Sequence, residues 1–291
     1  MSGTLFVVAT PIGNLEDITL RALRVLKEVA LVAAEDTRRT GNLLRHYDIH
    51  TPLLSLHEHN EGARTPKLIH RLKQGDSVAL VTDAGTPGIS DPGAQLVAAV
   101  RSAGLRVEPV PGPSAVITAI SAAGVRSDGF GFAGFAPIKS KARKKWFERL
   151  ISQSRDHAVV FFEAPHRLQR TLQELSLLVN RPIFVARELT KLHEELVAGT
   201  PAELIRLFNQ PIGEFTLIIP PVLVEPADST AITDSQIHDC FGQIADSGLA
   251  RSKRDSARAV AEQLNLSTKR VYDALERVKL GELKKEPDRR G

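Results

Sequence analysis

Hydrophobic residues recur along this chain in two alternating rhythms. Short, nearly continuous apolar runs predict strands at Leu5–Thr10, Ala30–Ala34, Pro52–Leu56, Ser77–Thr82 and Arg106–Val110. Between them, apolar residues return at helical spacing, as Ile18, Ala22, Val25, Leu26 and Val29 do. That spacing predicts helices at Ile18–Val29, Arg38–Tyr47, Glu61–Lys73, Gly93–Ala103 and Ser114–Ala123. Strands apolar on both faces, separated by amphipathic helices, argue for a largely parallel sheet covered on both sides. Ser127–Gly131 marks a joint, and a second alternating block follows. It predicts strands at Gly131–Ala136, His157–Glu163, Pro182–Glu188, Glu195–Ala198 and Glu214–Pro220, with helices at Ala142–Ile151, Arg167–Val179 and Pro201–Phe208. Pro220–Thr230 reads as a linker by composition, and beyond it the pattern is purely helical. The expected organisation is two α/β domains, 1–125 and 126–225, followed by a small helical domain over 231–291.

Composition narrows the class. With 291 residues, 42% of them hydrophobic, the chain can bury a sizeable core. No apolar run approaches the roughly 18 residues that span a bilayer. The opening MSGTLFVVATPIG reads directly as a first strand, without the pattern of a signal peptide. Cys240 is the single cysteine, so no disulfide framework or cysteine-cluster metal site is expected. A cytoplasmic protein with no membrane partner is the simplest reading.

Charge is distributed unevenly. Residues 251–291 hold 12 Lys and Arg against 7 Asp and Glu, whereas the first 250 residues hold 26 against 27. A second basic run, KSKARKKWFER at Lys139–Arg149, has six basic residues and one acidic. Localised positive charge is the footprint that a phosphate backbone requires, although a solvated helix face gives the same pattern.

The candidate chemistry lies where strands end. In open α/β sheets, ligands collect outside the carboxyl ends of the strands. Those ends here carry ATPIGN (Ala9–Asn14), AAEDTRRT (Ala33–Thr40), TDAGTPGISDPG (Thr82–Gly93) and VPGPSA (Val110–Ala115). Two of these loops are dense in glycine and proline. Such loops present a stiff, close main chain, which can meet a polar ligand without a large ordering penalty. No G-x-G-x-x-G or G-x-x-x-x-G-K-[ST] occurs, so the pocket is not of the usual dinucleotide or phosphate-loop kind. HEH at His57–His59 lacks a partner cluster, and no metal is expected. In the second block, FFEAPHR (Phe161–Arg167) and ARELTKLHEE (Ala186–Glu195) bring Glu, His, Arg and Lys to neighbouring strand ends. They read either as a site or as a salt-bridge cluster that fixes those ends.

TPIGN, AEDTRRT, TDAGTPGISDPG, VPGPSA, FFEAPHR, RELTKLHEE and GEFTLIIP follow one another as in the ribosomal RNA small-subunit methyltransferase I family, within the tetrapyrrole methylases. The resemblance runs over essentially the whole chain. It implies S-adenosylmethionine bound in a cleft between two α/β domains, and methyl transfer to the 2′-hydroxyl of a cytidine in the decoding region of small-subunit ribosomal RNA. It also implies a homodimer acting on that RNA or on the assembled small subunit. The cofactor contacts it implies are Pro11, Asp83, Ala84, Gly85, Thr86, Pro87, Ser114, Ala115, Phe162, Glu163, Ala164, Gly213, Phe215 and Thr216. ATPIGN holds fewer glycines than the first loop usual in the superfamily, which weakens the case for Pro11.

A ribose hydroxyl is a poor nucleophile until its proton is taken, so a positioned base is expected. Glu163, His166 and Asp36 are the leading candidates, with Glu35 and Glu188 behind them. Histidine titrates in the useful range, and a carboxylate between arginines is a weaker base. Arg38, Arg167 and Arg187 are expected to hold phosphates or the target base. Lys139, Lys141, Arg143, Lys144 and Lys145 would grip RNA. The segment 255–280 resembles a helix-turn-helix, with Ser267 as N-cap and Lys269 and Arg270 opening its second helix. It suits structured RNA or its phosphates, or a helical hairpin used for dimer contact or packing. Two other readings keep parts of this pattern: a methyltransferase for a small tetrapyrrole, and a ribosome-associated RNA-binding protein without catalysis.

Overall fold

The computed structural model describes residues 2–125, 128–222, 232–246, 252–264 and 266–283, without the side chains of residues 262 and 279–283. The chain divides into two compact units, residues 1–222 and 223–291. The first unit contains two five-stranded sheets.

Strands β1 (Thr4–Val8), β2 (Leu31–Ala34), β3 (Leu53–Ser55), β4 (Val78–Val81) and β5 (Arg106–Val110) form a fully parallel sheet in the order β3-β2-β4-β1-β5. All residues of β2 and β4 are buried. Their side chains alternate between two cores, as a strand period of two requires. Leu31, Ala33, Val78 and Leu80 pack with Leu68, Leu72 and Leu96 on one face. Val32, Ala34, Ala79 and Val81 pack with Ala22, Val25 and Leu26 on the other. The first helix, Leu20–Glu28, starts where Thr19 accepts a hydrogen bond from the Ala22 N–H, and it buries the face that its spacing predicts. The chain leaves β1 in one direction along the sheet and later crosses it to reach β5. The carboxyl ends of β1, β4 and β5 therefore meet at a point where strand order reverses.

The second sheet comprises β6 (Phe130–Phe135), β7 (Ala158–Glu163), β8 (Ile183–Arg187), β9 (Glu195–Gly199) and β10 (Phe215–Ile219), ordered β6-β7-β10-β8-β9. Only β6 and β7 run parallel; β10 inserts antiparallel between β7 and β8. All of β10 is buried. The preceding helix, Ala115–Ala122, packs Val116 and Ala119 against Ala158, Val160, Ala186 and Ile218 of this sheet, so the two sheets share a core. Ser127, part of the expected joint, lies outside the described residues.

The second unit contains helices Asp234–Asp246, Lys253–Gln263 and Thr268–Leu283 around Ile237, Ala257, Val260, Ala261, Val271 and Ala274. Ser267 caps the third helix by accepting from the Arg270 N–H at 3.1 Å. Asn265, at the expected turn, most of the expected linker and the distal KKEPDRRG segment lie outside the described residues.

Candidate functional site

The loops after β1 and β4 are zipped together. The Thr10 N–H donates to the Gly85 carbonyl at 2.9 Å, and the Gly85 N–H returns a bond to the Thr10 carbonyl at 3.0 Å. The buried Thr10 hydroxyl donates to the Thr82 carbonyl at 3.1 Å. Gly85 has φ 79°, in the region that favours glycine. The rest of the loop bonds to itself: the Gly88 N–H donates to the Pro92 carbonyl and the Ile89 N–H to the Thr86 carbonyl. A side chain at Gly93 would come within 2.7 Å of Leu80. Glycine and proline thus fix this loop's path, as its composition suggests.

Opposite stand β7 and β10, paired so that Phe162 faces Thr216 and Glu163 faces Phe215 in register. Phe162 also packs on Phe132 and Phe135, with ring centroids 4.9 and 5.4 Å away. Between the two sides lies a cavity of about 330 Å³, within the range of small-molecule sites. Ten of the fourteen expected cofactor contacts line it: Ala84, Gly85, Thr86, Ser114, Ala115, Phe162, Glu163, Ala164, Phe215 and Thr216. Pro11 and Asp83 line a neighbouring pocket of about 300 Å³, with Arg39, Asn42 and Lys191; the two cavities share Ile12, Ala84 and Glu214. Pro87 faces a separate groove. Gly213 lies outside these cavities. It has φ 98°, and a Cβ there would come within 2.5 Å of Glu188.

The expected catalytic residues do not converge. Glu163 carries a fully buried side chain. Its oxygens accept from the Arg143 Nη2 at 3.4 Å, the Thr171 hydroxyl and the Ala164 N–H at 3.0 Å, and pair with the Arg167 Nε at 3.1 Å. Those partners engage both of its oxygens within the protein. Asp36 caps the helix Thr37–His46. The side-chain hydrogen bond from Arg38, with the backbone N–H of the same residue, holds its carboxyl down to about 2, too low for a useful base. His166 is exposed in the first turn of the helix Pro165–Ser176. For Glu188, burial acts upward, but the hydrogen bonds from Lys191 and the Glu214 N–H leave its carboxyl lowered.

The cationic candidates divide by burial. Lys139, Lys141, Lys144 and Lys145 are exposed around the start of the helix Ser140–Gln153. Arg143 from the same run is only 2% exposed and joins Glu163 to Glu174, whose carboxylate lies 2.5 Å from its Nε. This corrects its place among surface RNA contacts. Helical spacing puts Arg143 on the inward face with Trp146, Phe147 and Leu150. Arg167 also donates to the Ala136 carbonyl, and Arg187 donates to the Ile212 carbonyl at 2.8 Å and pairs with Glu195 at 2.9 Å. These two arginines tie strand ends together. Arg38 is exposed and pairs with Asp36 at 2.8 Å. In the helical unit Lys269 is exposed, and Arg270 pairs with Asp234 at 2.5 Å.

Sequence reasoning passed over Ile12, Ile89, Ser90, Asp91, Val116, Phe135 and Glu214, all of which line the cavity. Asp91 differs from the other carboxylates. Burial, followed by the negative charges of Glu35 and Asp83, pushes its carboxyl up to about 7. Glu35 is also raised, chiefly by burial. The sequence signal is the lone acidic residue of the loop ISDPG, set among residues that otherwise present main chain.

Known proteins resemble this arrangement. Residues 4–205 match the sequence profile of the Tetrapyrrole (Corrin/Porphyrin) Methylases. The ribosomal RNA small subunit methyltransferase I of a Synechocystis species is 43% identical over 274 residues, covering 93% of this chain and 96% of the relative. That of Haemophilus influenzae is 47% identical over 225 residues, covering 75% and 79%. Among solved structures, a uroporphyrin-III C-methyltransferase from Thermus thermophilus, complexed with S-adenyl homocysteine, shares the fold. Its TM-score is 0.53 at 18% identity, over 74% of this chain and 96% of that one. Among the described residues, no helix is long and apolar enough to cross a membrane.

Proposed function

The chain belongs to the ribosomal RNA small subunit methyltransferase I family of the tetrapyrrole methylases, and from that premise we propose that it methylates the 2′-hydroxyl of a cytidine in the decoding region of small-subunit ribosomal RNA, using S-adenosylmethionine. The observation that carries this reading is the convergence of a main-chain cradle and an aromatic wall on one cavity. The lining fits the cofactor's chemistry. Phe135, Phe162 and Phe215 offer an apolar face for an adenine, while Thr86, Ser90, Ser114 and Thr216 supply hydroxyls for ribose and amino-acid groups. Ala84–Thr86 and Ser114–Ala115 would hold the amino-acid end through backbone groups.

When bound, S-adenosylmethionine supplies a methyl group already activated on a sulfonium. The protein's own task is then placement: holding the acceptor oxygen in line is worth orders of magnitude in rate. The adjoining pocket offers Asn42, Arg39 and Lys191 to the incoming nucleotide. Lys139, Lys141, Lys144 and Lys145 bind flanking phosphates, which sets affinity and its salt dependence. Lys269 in the helical unit adds a further phosphate contact. The reaction belongs in the cytoplasm, on RNA or on the assembled subunit, with the enzyme as a homodimer.

The test pairs calorimetry with S-adenosylmethionine and mass spectrometry of nuclease-digested small-subunit RNA after incubation with the enzyme. Binding with the mass gain of one methyl group on one cytidine ribose is expected. Binding without methylation of RNA would remove the substrate from this reading, and no binding would remove the cofactor.

A further inference from the structure

Among the described residues, three carboxylates line the cavity: Asp91, Glu163 and Glu214. Glu163 is held by two guanidinium groups and a hydroxyl, and Glu214 pairs with Lys191 at 3.0 Å. Among the described residues, Asp91 makes no hydrogen bond and no ion pair. Among the described residues, no histidine lines the cavity. The loop around Asp91 is braced by the Gly88 N–H, which donates to the Pro92 carbonyl at 3.2 Å. Ser90, beside Asp91, has φ 64°, and its hydroxyl lies 3.6 Å from where a Cβ on Gly134 of β6 would be. The loop therefore reaches from β4 across to the second sheet and carries Asp91 on its inner side.

We propose that Asp91 is the catalytic base, taking the proton of the ribose 2′-hydroxyl as that oxygen accepts the methyl group. This rests on the reading of the reaction given above. The O–H bond breaks and its proton passes to a carboxylate oxygen of Asp91. The new O–C bond forms on the hydroxyl oxygen, and the C–S bond breaks with its electron pair left on sulfur. The products are a 2′-methoxy ribose, a neutral thioether and protonated Asp91, which returns its proton to solvent.

The surroundings suit that task. Glu35 at the end of β2 and Asp83 at the end of β4 face Asp91 with negative charge, and Arg39 offsets Asp83 from 3.4 Å. From the second sheet, Glu163 and Glu214 reach the cavity already paired with Arg143, Arg167 and Lys191. With its carboxyl near 7, Asp91 combines substantial basicity with an ionised population at neutral pH, the compromise that general-base catalysis favours.

The experiment compares wild type, Asp91→Asn and Asp91→Glu in three measurements. The first is the pH profile of kcat/KM on small-subunit RNA. The second is calorimetry with S-adenosylhomocysteine. The third is carboxyl ¹³C NMR of aspartate-labelled, ligand-free protein. Wild-type kcat/KM is expected to rise through about pH 7, with one aspartate resonance titrating in the same range. Asp91→Asn is expected to lose that resonance and about 100-fold or more in kcat/KM, while S-adenosylhomocysteine affinity stays within about twofold. Asp91→Glu restores part of the rate. An Asp91→Asn enzyme with the wild-type rate and profile overturns the assignment. So does a variant whose rate loss is matched by lost S-adenosylhomocysteine affinity. A wild-type protein that binds the cofactor but methylates no RNA would instead sink the reading of the reaction, and the NMR titration would still report on Asp91.

Discussion

The two sheets meet the cavity in opposite ways. The first offers main chain: the Thr10–Gly85 bridge, a loop bonded to itself, and one carboxylate, Asp91, with no partner among the described residues. The second offers side chains, and its charges are engaged with one another. Glu163 is locked to Arg143 and Arg167, Arg187 to Glu195, and Lys191 to Glu188 and Glu214. Both rims look equally chemical in one dimension. The difference teaches that charge gathered at strand ends is a poor sign of catalysis until its partners are known. Paired charge shapes the cavity, and unpaired charge beside a fixed backbone is left to react.

The strongest way to break this contrast is Arg143→Ala. It would strand Glu163, whose side chain is fully buried, with fewer cationic partners. Removing one member of a buried ion pair typically destabilises by about 3–5 kcal/mol. Urea unfolding should show a loss of that order. A variant as stable as wild type would mean that the network is not what holds the second rim. Glu163→Gln is smaller: it retains shape but loses charge-assisted hydrogen bonds, each worth about 1.5–3 kcal/mol. It should lower the unfolding midpoint, in contrast to Asp91→Asn, which should lower the rate and, above about pH 7, raise stability.

Gly85→Ala probes the opposite rim. A Cβ there would meet Ile12 at 3.6 Å, an ordinary contact. The penalty therefore comes from backbone: left-handed geometry costs a non-glycine residue about 1–2 kcal/mol. If the loop relaxes instead, cofactor affinity falls and stability is spared. Calorimetry and thermal unfolding together separate the two outcomes. Either result sharpens the view that this rim works through its main chain.

Asp91 itself should leave a trace in stability. Its folded carboxyl lies near 7, above the roughly 3.9 of an unfolded aspartate. Between these values the folded protein binds more protons than the unfolded chain, so stability falls as pH rises through that window. Asp91→Asn removes the dependence and should be more stable than wild type above about pH 7. An unchanged slope of unfolding free energy against pH would show that Asp91 is solvated or paired in solution.

Much of this was legible in the chain. The strands of the first sheet were, because parallel strands buried on both faces give unbroken apolar runs such as Val78–Val81. The order of the second sheet was not. β10 pairs with residues 159–163 and 184–187, and no local pattern encodes that insertion. The Gly/Pro loops announced their residues through backbone chemistry, which is local. Arg143 and Asp91 are not legible for one reason: the surroundings of each are set by burial and by partners brought from elsewhere. Arg143 had a readable hint, since it stands at helical intervals from Phe147 and Leu150. For Asp91 the deciding fact is that no cation among the described residues pairs with it, which no local pattern encodes.

The smallest expected effect concerns charges that belong to neither rim. Lys141, Lys144 and Lys145 are exposed on the helix whose inner face carries Arg143. Solvated lysines add little to folding, so a triple change to alanine should leave the unfolding midpoint close to wild type. Its effect should appear in RNA affinity and, more tellingly, in salt dependence. Each phosphate contact removed should flatten the slope of log K against log salt by about 0.7–0.9. A triple variant whose slope falls by roughly two units would place this helix on the RNA. An unchanged slope would make these lysines a solvated face, and the sign of charge that recruits substrate would have to be sought in the helical unit around Lys269. In either case Arg143 and its three lysine neighbours separate one basic run into a folding part and a binding part, because a helix turns one residue inward for every few it leaves in water.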